Sequence, residues 1–152
     1  MKLSTAGLEL LKQSEGFRNR VYFDVAGIPT IGYGHRLLHL ESFPDGIDES
    51  HAAELLVSDV RDAEQAVERM VLVPLAQGQF DALVDFLFNL GAGRFATSTL
   101  LKRLNARRYD DALEQLLRWE RAGGQEIAAL KARRQAEAKL WQTAEVEKLV
   151  AA

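Results

Sequence analysis

The stretch from Gln79 to Leu90, QFDALVDFLFNL, is apolar on nearly every side of a helical wheel. A helix without a polar face is stable only where other elements cover it all round, so this segment predicts a buried central helix with further helices packed about it. Gly91-Ala92-Gly93 closes it. Upstream, residues 50–70 carry Ala52, Leu56, Val60, Ala63, Val67 and Met70 at steps of three and four, a narrow apolar stripe on an acidic helix. At ~1.5 Å per residue such a helix is about 30 Å long, the shape of a strut. Asp48 or Ser50 can cap its start, and Pro74 ends it. Downstream, Thr97 or Ser98 can cap a helix through Leu100, Leu101 and Leu104. Asp110 can cap another through Leu113, Leu116, Leu117 and Trp119. After a break at Gly123-Gly124, Ile127 to Gln142 forms the last helix, which the tail AEVEKLVAA either extends or leaves frayed. Four helices are expected after residue 75.

The N-terminal part reads differently. Residues 4–14 form a first helix, capped by Ser4 or Thr5, with Leu8 and Leu11 on one face and Gly16 as terminator. Arg20 to Asp24 and Thr30 to Tyr33 then make short β segments joined by the Gly27-Ile28-Pro29 turn. Pro29 argues against a central strand at that point, and Gly32 and Gly34 indicate tight backbone geometry or close approach of another element. Leu37 and Leu38 lead into a loop at Ser42-Phe43-Pro44-Asp45-Gly46. The expected class is therefore α+β, mainly α, with a small antiparallel sheet near the N-terminus. The 152 residues fit one domain.

Composition removes several alternatives. There is no cysteine, hence no disulfide framework and no thiolate metal site. No run of about 18 apolar residues exists to span a bilayer, and Glu9 and Lys12 interrupt the N-terminus in a way that does not read as a cleaved signal peptide. Neither zinc spacing, P-loop nor dinucleotide fingerprint occurs. Net charge is −3, unevenly spread. Residues 41–68 hold nine acids against Arg61, whereas residues 94–140 hold eleven bases against six acids and residues 1–40 five against three. The two basic segments suit an anionic polymer, although the same residues would serve as ordinary solvated helix surface.

Chemistry concentrates between Glu15 and His35. Glu15 and Asp24, with eight residues between them, can both face outward from one small hairpin. One acid lies at a helix end and the other beside a turn, and unlike surroundings split carboxylate pKa values, as paired acid/base work on a glycosidic bond requires. At a helix C-terminus, with Phe17 and Tyr22 near, Glu15 is the one expected to keep its proton. Singly, Asp24 is an ordinary turn residue and Thr30 an ordinary strand former. Only the joint spacing promotes them.

That spacing, Glu-x8-Asp-x5-Thr-Ile-Gly-Tyr-Gly-His, resembles the active-site signature of phage-type lysozymes, glycoside hydrolase family 24. The resemblance implies a lysozyme-like two-lobe fold: a sheet-bearing lobe over about 1–49, a connecting helix over about 50–71 and a helical lobe over about 72–152. It implies an N-acetylmuramidase cutting the β-1,4 bond between N-acetylmuramic acid and N-acetylglucosamine, with no metal or cofactor. Glu15 would be the general acid. Asp24 would activate water or stabilise oxocarbenium charge, and Thr30 would hold that water, with Tyr33 as a substrate contact. Inversion would place the carboxyls roughly 6.5–9.5 Å apart and retention ~5 Å.

Three further blocks are similar to family segments. Leu55 to Val60 implies a structural His35–Asp59 ion pair. Phe88 to Phe95, with Ser98 to Leu101, implies that Asn89 lines the substrate site and bonds an acetamido group or Glu15; a buried amide satisfied by backbone is the plainer alternative. Leu130 to Glu137 implies a basic partner for Glu15, with Lys131, Arg133 and Arg134 all candidates and Lys131 and Arg134 sharing a helix face. The implied biology is a monomeric phage or prophage endolysin acting on bacterial peptidoglycan, with neither nucleic acid nor stable membrane insertion. It would stay in the host cytoplasm until a separate membrane-permeabilising protein gives access to the wall. A lytic transglycosylase and an inactive wall-binding module are the rival readings, and both sit poorly with an intact Glu15, Asp24 and Thr30.

Overall fold

The computed structural model describes the backbone of residues 1–151 and the side chains of residues 1–143. Among the described residues it has seven helices and two small antiparallel sheets, so the chain is mainly α. It divides into two compact units, Leu11–Arg61 and Met1–Leu10 with Asp62 onward.

In the first unit, helix α1 (Thr5–Glu15) ends at Gly16, whose φ of 72° lets its N–H reach back to Lys12 O at 2.9 Å. Strands β1 (Arg18–Phe23), β2 (Pro29–Gly32) and β3 (His35–Arg36) form a sheet in that order. Pairing sets Tyr22 opposite Thr30 and Thr30 opposite Arg36, so these three side chains share one face. Pro29 was expected to keep this point out of a central strand, yet β2 is the middle strand. Proline is tolerated because it is the strand's first residue, where its carbonyl still accepts the Leu37 N–H at 2.9 Å. The loop after β3 returns to β1 through Ile47 N–H to Asn19 O at 2.9 Å. Gly46, at φ 75°, makes this possible, since any Cβ there would lie 2.3 Å from Asn19 O. Asp48, rather than Ser50, caps α2 (Glu49–Met70) by accepting the His51 N–H at 2.8 Å. Ala52, Leu56 and Val60 of its stripe are buried.

In the second unit, Ser4 caps α1 by accepting the Gly7 N–H on Oγ at 3.2 Å. Ser4 also donates its N–H to Asp81 Oδ1 at 3.0 Å and its hydroxyl to Asp81 Oδ2. Gly7 permits this approach: a Cβ there would sit 2.8 Å from Asp81 Cγ. Along the later part of α2 the stripe shifts, with Ala63 and Met70 half-buried and Glu64 and Ala66 buried instead. Glu64 is satisfied by the Leu3 N–H at 2.6 Å. Helix α3 (Gln77–Leu90) is buried continuously from Gln79 to Leu87, as its all-round apolar character requires.

After residue 75 there are five helices, not four: α3, α4 (Ala92–Ala96), α5 (Thr99–Asn105), α6 (Tyr109–Leu117) and α7 (Ala128–Ala151). The extra one is a single turn that starts immediately after Gly91, whose φ of 91° redirects the chain and buries Phe95 against Phe86, ring centroids 6.1 Å apart. Ser98 is the cap of α5, accepting the Leu101 N–H at 3.1 Å. Asp110 does not cap α6. Arg108 occupies that position, and Asp110 and Asp111 fall in the first turn, where the helix dipole favours them. Gly123 and Gly124, at φ 59° and 79°, are more than a break; they turn a short hairpin of β4 (Arg121–Ala122) and β5 (Gln125–Glu126). Helix α7 packs along α3 and α6, and Trp141 is fully buried.

Candidate active site

The β1–β2 turn is built around Asp24. Its Oδ1 accepts the N–H groups of Ala26 and Ile28, both at 2.9 Å, which shapes the turn from within. Its Oδ2 lies 3.3 Å from Arg36 Nη2. One carboxylate oxygen is thus structural and the other faces a largely exposed guanidinium. Thr30 is buried in the middle strand and donates its hydroxyl proton to Ile28 O at 2.9 Å. Its lone pairs are left as the part of that oxygen able to receive a further hydrogen bond. Ile28 therefore joins Asp24 and Thr30, its N–H bonded to one and its C=O to the other.

Glu15 is the last residue of α1 and is half-buried. The chain between β2 and β3 passes close to it. A Cβ built on Gly34 would stand 2.9 Å from Glu15 Oε2, and Gly34 has φ 75°. Both the space and the backbone conformation call for glycine there. Tyr33 is buried, its ring 5.6 Å from Phe17 and 5.9 Å from the Lys12 ammonium. Most of that ring is packed within the protein, which leaves little of it for a ligand.

His35 lies between two carboxylates. Its Nδ1 donates to Asp59 Oδ2 at 2.8 Å and its Nε2 to Glu41 Oε1 at 2.9 Å. Acceptors at both ring nitrogens select the doubly protonated imidazolium. Burial alone would lower its pKa, but the hydrogen bonds and charges of Asp59 and Glu41 outweigh burial and raise it. Burial likewise works to raise the Glu41 pKa, and the Leu38 N–H and His35 more than reverse this, so it is lowered. Glu41 had no part in the sequence reading.

In the other unit, α7 meets α3 through charge. Arg133 grips the fully buried Asp85 in a two-pronged contact, Nε to Oδ2 at 2.9 Å and Nη2 to Oδ1 at 3.0 Å. Arg134, also fully buried, donates from Nη2 to Asn89 Oδ1 at 2.9 Å and to Glu137 Oε1 at 2.6 Å. Burial pushes the Glu137 carboxyl well above its ordinary range, and the adjacent Asp85 adds to the rise; the opposing pull of Arg134 is smaller. Lys131 is exposed and pairs with Glu126 at 3.2 Å. Of the three basic candidates, then, two are drawn into the α3–α7 interface and one lies at the surface. Among the described residues no cluster of acids and histidines could hold a metal ion, and no helix is long and apolar enough to cross a membrane.

The model of the phage lysozyme family matches residues 12–137. The chain belongs to the phage lysozyme family. The endolysin of Salmonella phage P22 is 41% identical over 126 residues, 81% of this chain and 86% of that protein. The endolysin of Acyrthosiphon pisum secondary endosymbiont phage 1 is 37% identical over 148 residues, covering 95% and 100%. A crystal structure of a P22 lysozyme mutant superposes with a TM-score of 0.84 at 37% identity, over 93% of this chain and 99% of that one. The lysozyme-like fold and the assignment to the hydrolases thus stand on sequence and structure together. Within this phage lysozyme chain, Arg36, Glu41, Asp85 and Glu137 were missed by sequence reasoning. Glu137 left a signal: Leu130, Arg134, Glu137, Ala138 and Trp141 follow one helical stripe, so two charges stand where apolar residues would be expected.

Proposed function

We propose that the chain is a peptidoglycan N-acetylmuramidase that hydrolyses the β-1,4 bond between N-acetylmuramic acid and N-acetylglucosamine, and that it serves a phage or prophage as an endolysin. The observation that carries this is the shared anchoring of Asp24 and Thr30 through Ile28, which puts an acceptor oxygen of each beside one turn. A water molecule donating one hydrogen to Thr30 Oγ1 and the other to Asp24 Oδ2 presents a lone pair to the anomeric carbon. As it attacks C1, its proton passes to Asp24, the C1–O4 bond breaks, and Glu15 protonates the departing O4. Each glycosidic bond consumes one water, and inversion leaves an α-configured reducing end. Arg36 Nη2, 3.3 Å from Asp24 Oδ2, lies beside the oxygen that takes up this proton.

Tyr33 and Asn89 contribute to substrate recognition, the first by shaping its surroundings from within and the second directly. The His35–Asp59 pair is structural. The working unit is a monomer that remains in the host cytoplasm until a separate protein permeabilises the membrane. Incubating purified wall with the protein tests the reading. Turbidity should clear, and mass spectrometry should find ordinary N-acetylmuramic acid reducing ends. Ends carrying 1,6-anhydromuramic acid would establish a transglycosylase instead, and untouched wall would leave only binding.

A further inference from the structure

The α3–α7 cluster has a feature that the reaction itself does not use. Arg134 is wholly withdrawn from water, over the Phe86 ring at 5.0 Å, and its Nε and Nη1 have no hydrogen-bond partner among the described residues. A buried cation so incompletely satisfied is a poor source of stability; an apolar side chain of similar volume would often serve better. Orientation is what it does supply. An asparagine amide carries an acceptor on one edge and a donor on the other, and a half-turn about χ2 exchanges them. Arginine has no acceptor, so only the Asn89 oxygen can face Arg134 Nη2, as observed at 2.9 Å. The amino edge is then the one that half-buried Asn89 has left to offer. The second Nη2 hydrogen goes to Glu137 Oε1 at 2.6 Å, so both hydrogens of that nitrogen are committed and the guanidinium is held in place against the Asn89 amide.

We propose that Arg134 is a positioning residue for substrate recognition: it holds the Asn89 amide with its amino group outward, so that Asn89 selects a carbonyl acceptor, the acetamido oxygen of an N-acetylated hexosamine. This rests on the muramidase reading above and adds the direction of the hydrogen bond to it. A flipped amide would instead accept the acetamido N–H and discriminate differently.

Asn89→Asp separates the roles, because it keeps an oxygen for Arg134 and removes only the donor. Thermal stability should match or exceed that of the wild type. The kcat/KM on N-acetylated wall should fall about tenfold, the scale of one hydrogen bond, with the loss in KM. Preference for N-acetylated over chemically de-N-acetylated wall should vanish or reverse. Arg134→Lys should lower kcat/KM when Asn89 is present and have no further effect in the Asn89→Asp background. Wild-type KM and wild-type acetyl preference in Asn89→Asp would overturn the proposal, as would an Arg134→Lys effect of equal size in both backgrounds. Should Arg134→Lys fail to fold, Asn89→Asp decides alone, since it leaves the buried pair intact. A wild-type protein that releases no reducing ends from wall contradicts the muramidase reading itself, which keeps the two failures distinct.

Discussion

Because Asp24 Oδ1 holds the turn and Oδ2 faces Arg36, substitution can separate the two oxygens. Asp24→Asn retains an oxygen for the Ala26 and Ile28 N–H groups and removes the charge. We expect its melting temperature to stay within about 4 °C of wild type, a change of under ~1 kcal/mol, while turnover of wall falls at least ~100-fold, the usual contribution of a general base. Thermal melts paired with reducing-end assays would show both. Gly34→Ala should behave differently. A left-handed alanine costs roughly 1–2 kcal/mol, and its methyl would displace the Glu15 carboxyl, so stability and kcat should both drop. If kcat measured well below the melting point were unchanged, the Gly34 contact with Glu15 would be irrelevant to catalysis. Glu15, Asp24 and Thr30 can be singled out as candidates from the sequence because one short stretch, residues 15–30, carries all three. Arg36 was not, because its place opposite Thr30 depends on a two-residue strand too short to leave a periodic pattern.

At the scale of elements, the His35 cluster fastens the sheet and the loop after it to α2. Its pH dependence follows from the two shifts. A raised His35 pKa gives stability that is full below the unfolded value near 6.5 and is lost as pH rises through the folded value. A lowered Glu41 pKa gives stability present above its unfolded value near 4.5 and lost as pH falls through the folded one. The cluster therefore contributes most between those unfolded values. Asp59→Asn should cost ~1–3 kcal/mol in that window, as expected for a charge-assisted bond, with the deficit shrinking at higher pH and kcat little altered. A deficit independent of pH would remove the imidazolium from the explanation. Glu137 has the opposite sign. Its folded pKa is raised, so stability falls as pH climbs from the unfolded value toward the folded one. Glu137→Gln, neutral and of the same shape, should raise the melting temperature at pH 7 relative to pH 4. Equal effects at both pH values would show that Glu137 is ionised in the folded protein.

The elements themselves were unevenly legible. Helix α3 was plain because no other arrangement hides twelve residues with apolar side chains on every side. Helix α4 was hidden because five residues are too few for periodicity and Gly91 reads as an end. The β4–β5 hairpin was hidden because its strands are exposed on both faces and so show no alternation. Lys131, Arg133 and Arg134 stand in the sequence as equal candidates for a partner of Glu15, because the burial of Arg133 and Arg134 depends on Asp85 and Asn89, some 45 residues earlier, which no local pattern encodes.

For the molecule as a whole, membership of the phage lysozyme family shows a lysozyme hydrolase, and the β1–β2 turn is where we propose that its water is held. Net charge of −3 offers no general attraction to an anionic wall, and the eleven bases of residues 94–140 include several already committed to Asp85, Asn89, Glu126 and Asp111. Recognition of the polymer therefore rests on specific contacts more than on overall charge. The central claim is a proton transfer from Glu15 to the leaving oxygen as water attacks from the Asp24 side. Proton NMR of reducing ends released from wall by wild type and by Glu15→Gln tests it most directly. The account predicts α-anomers first from the wild type and no release from a normally folded Glu15→Gln; rapid release by that variant, or β-anomers first from the wild type, would contradict it.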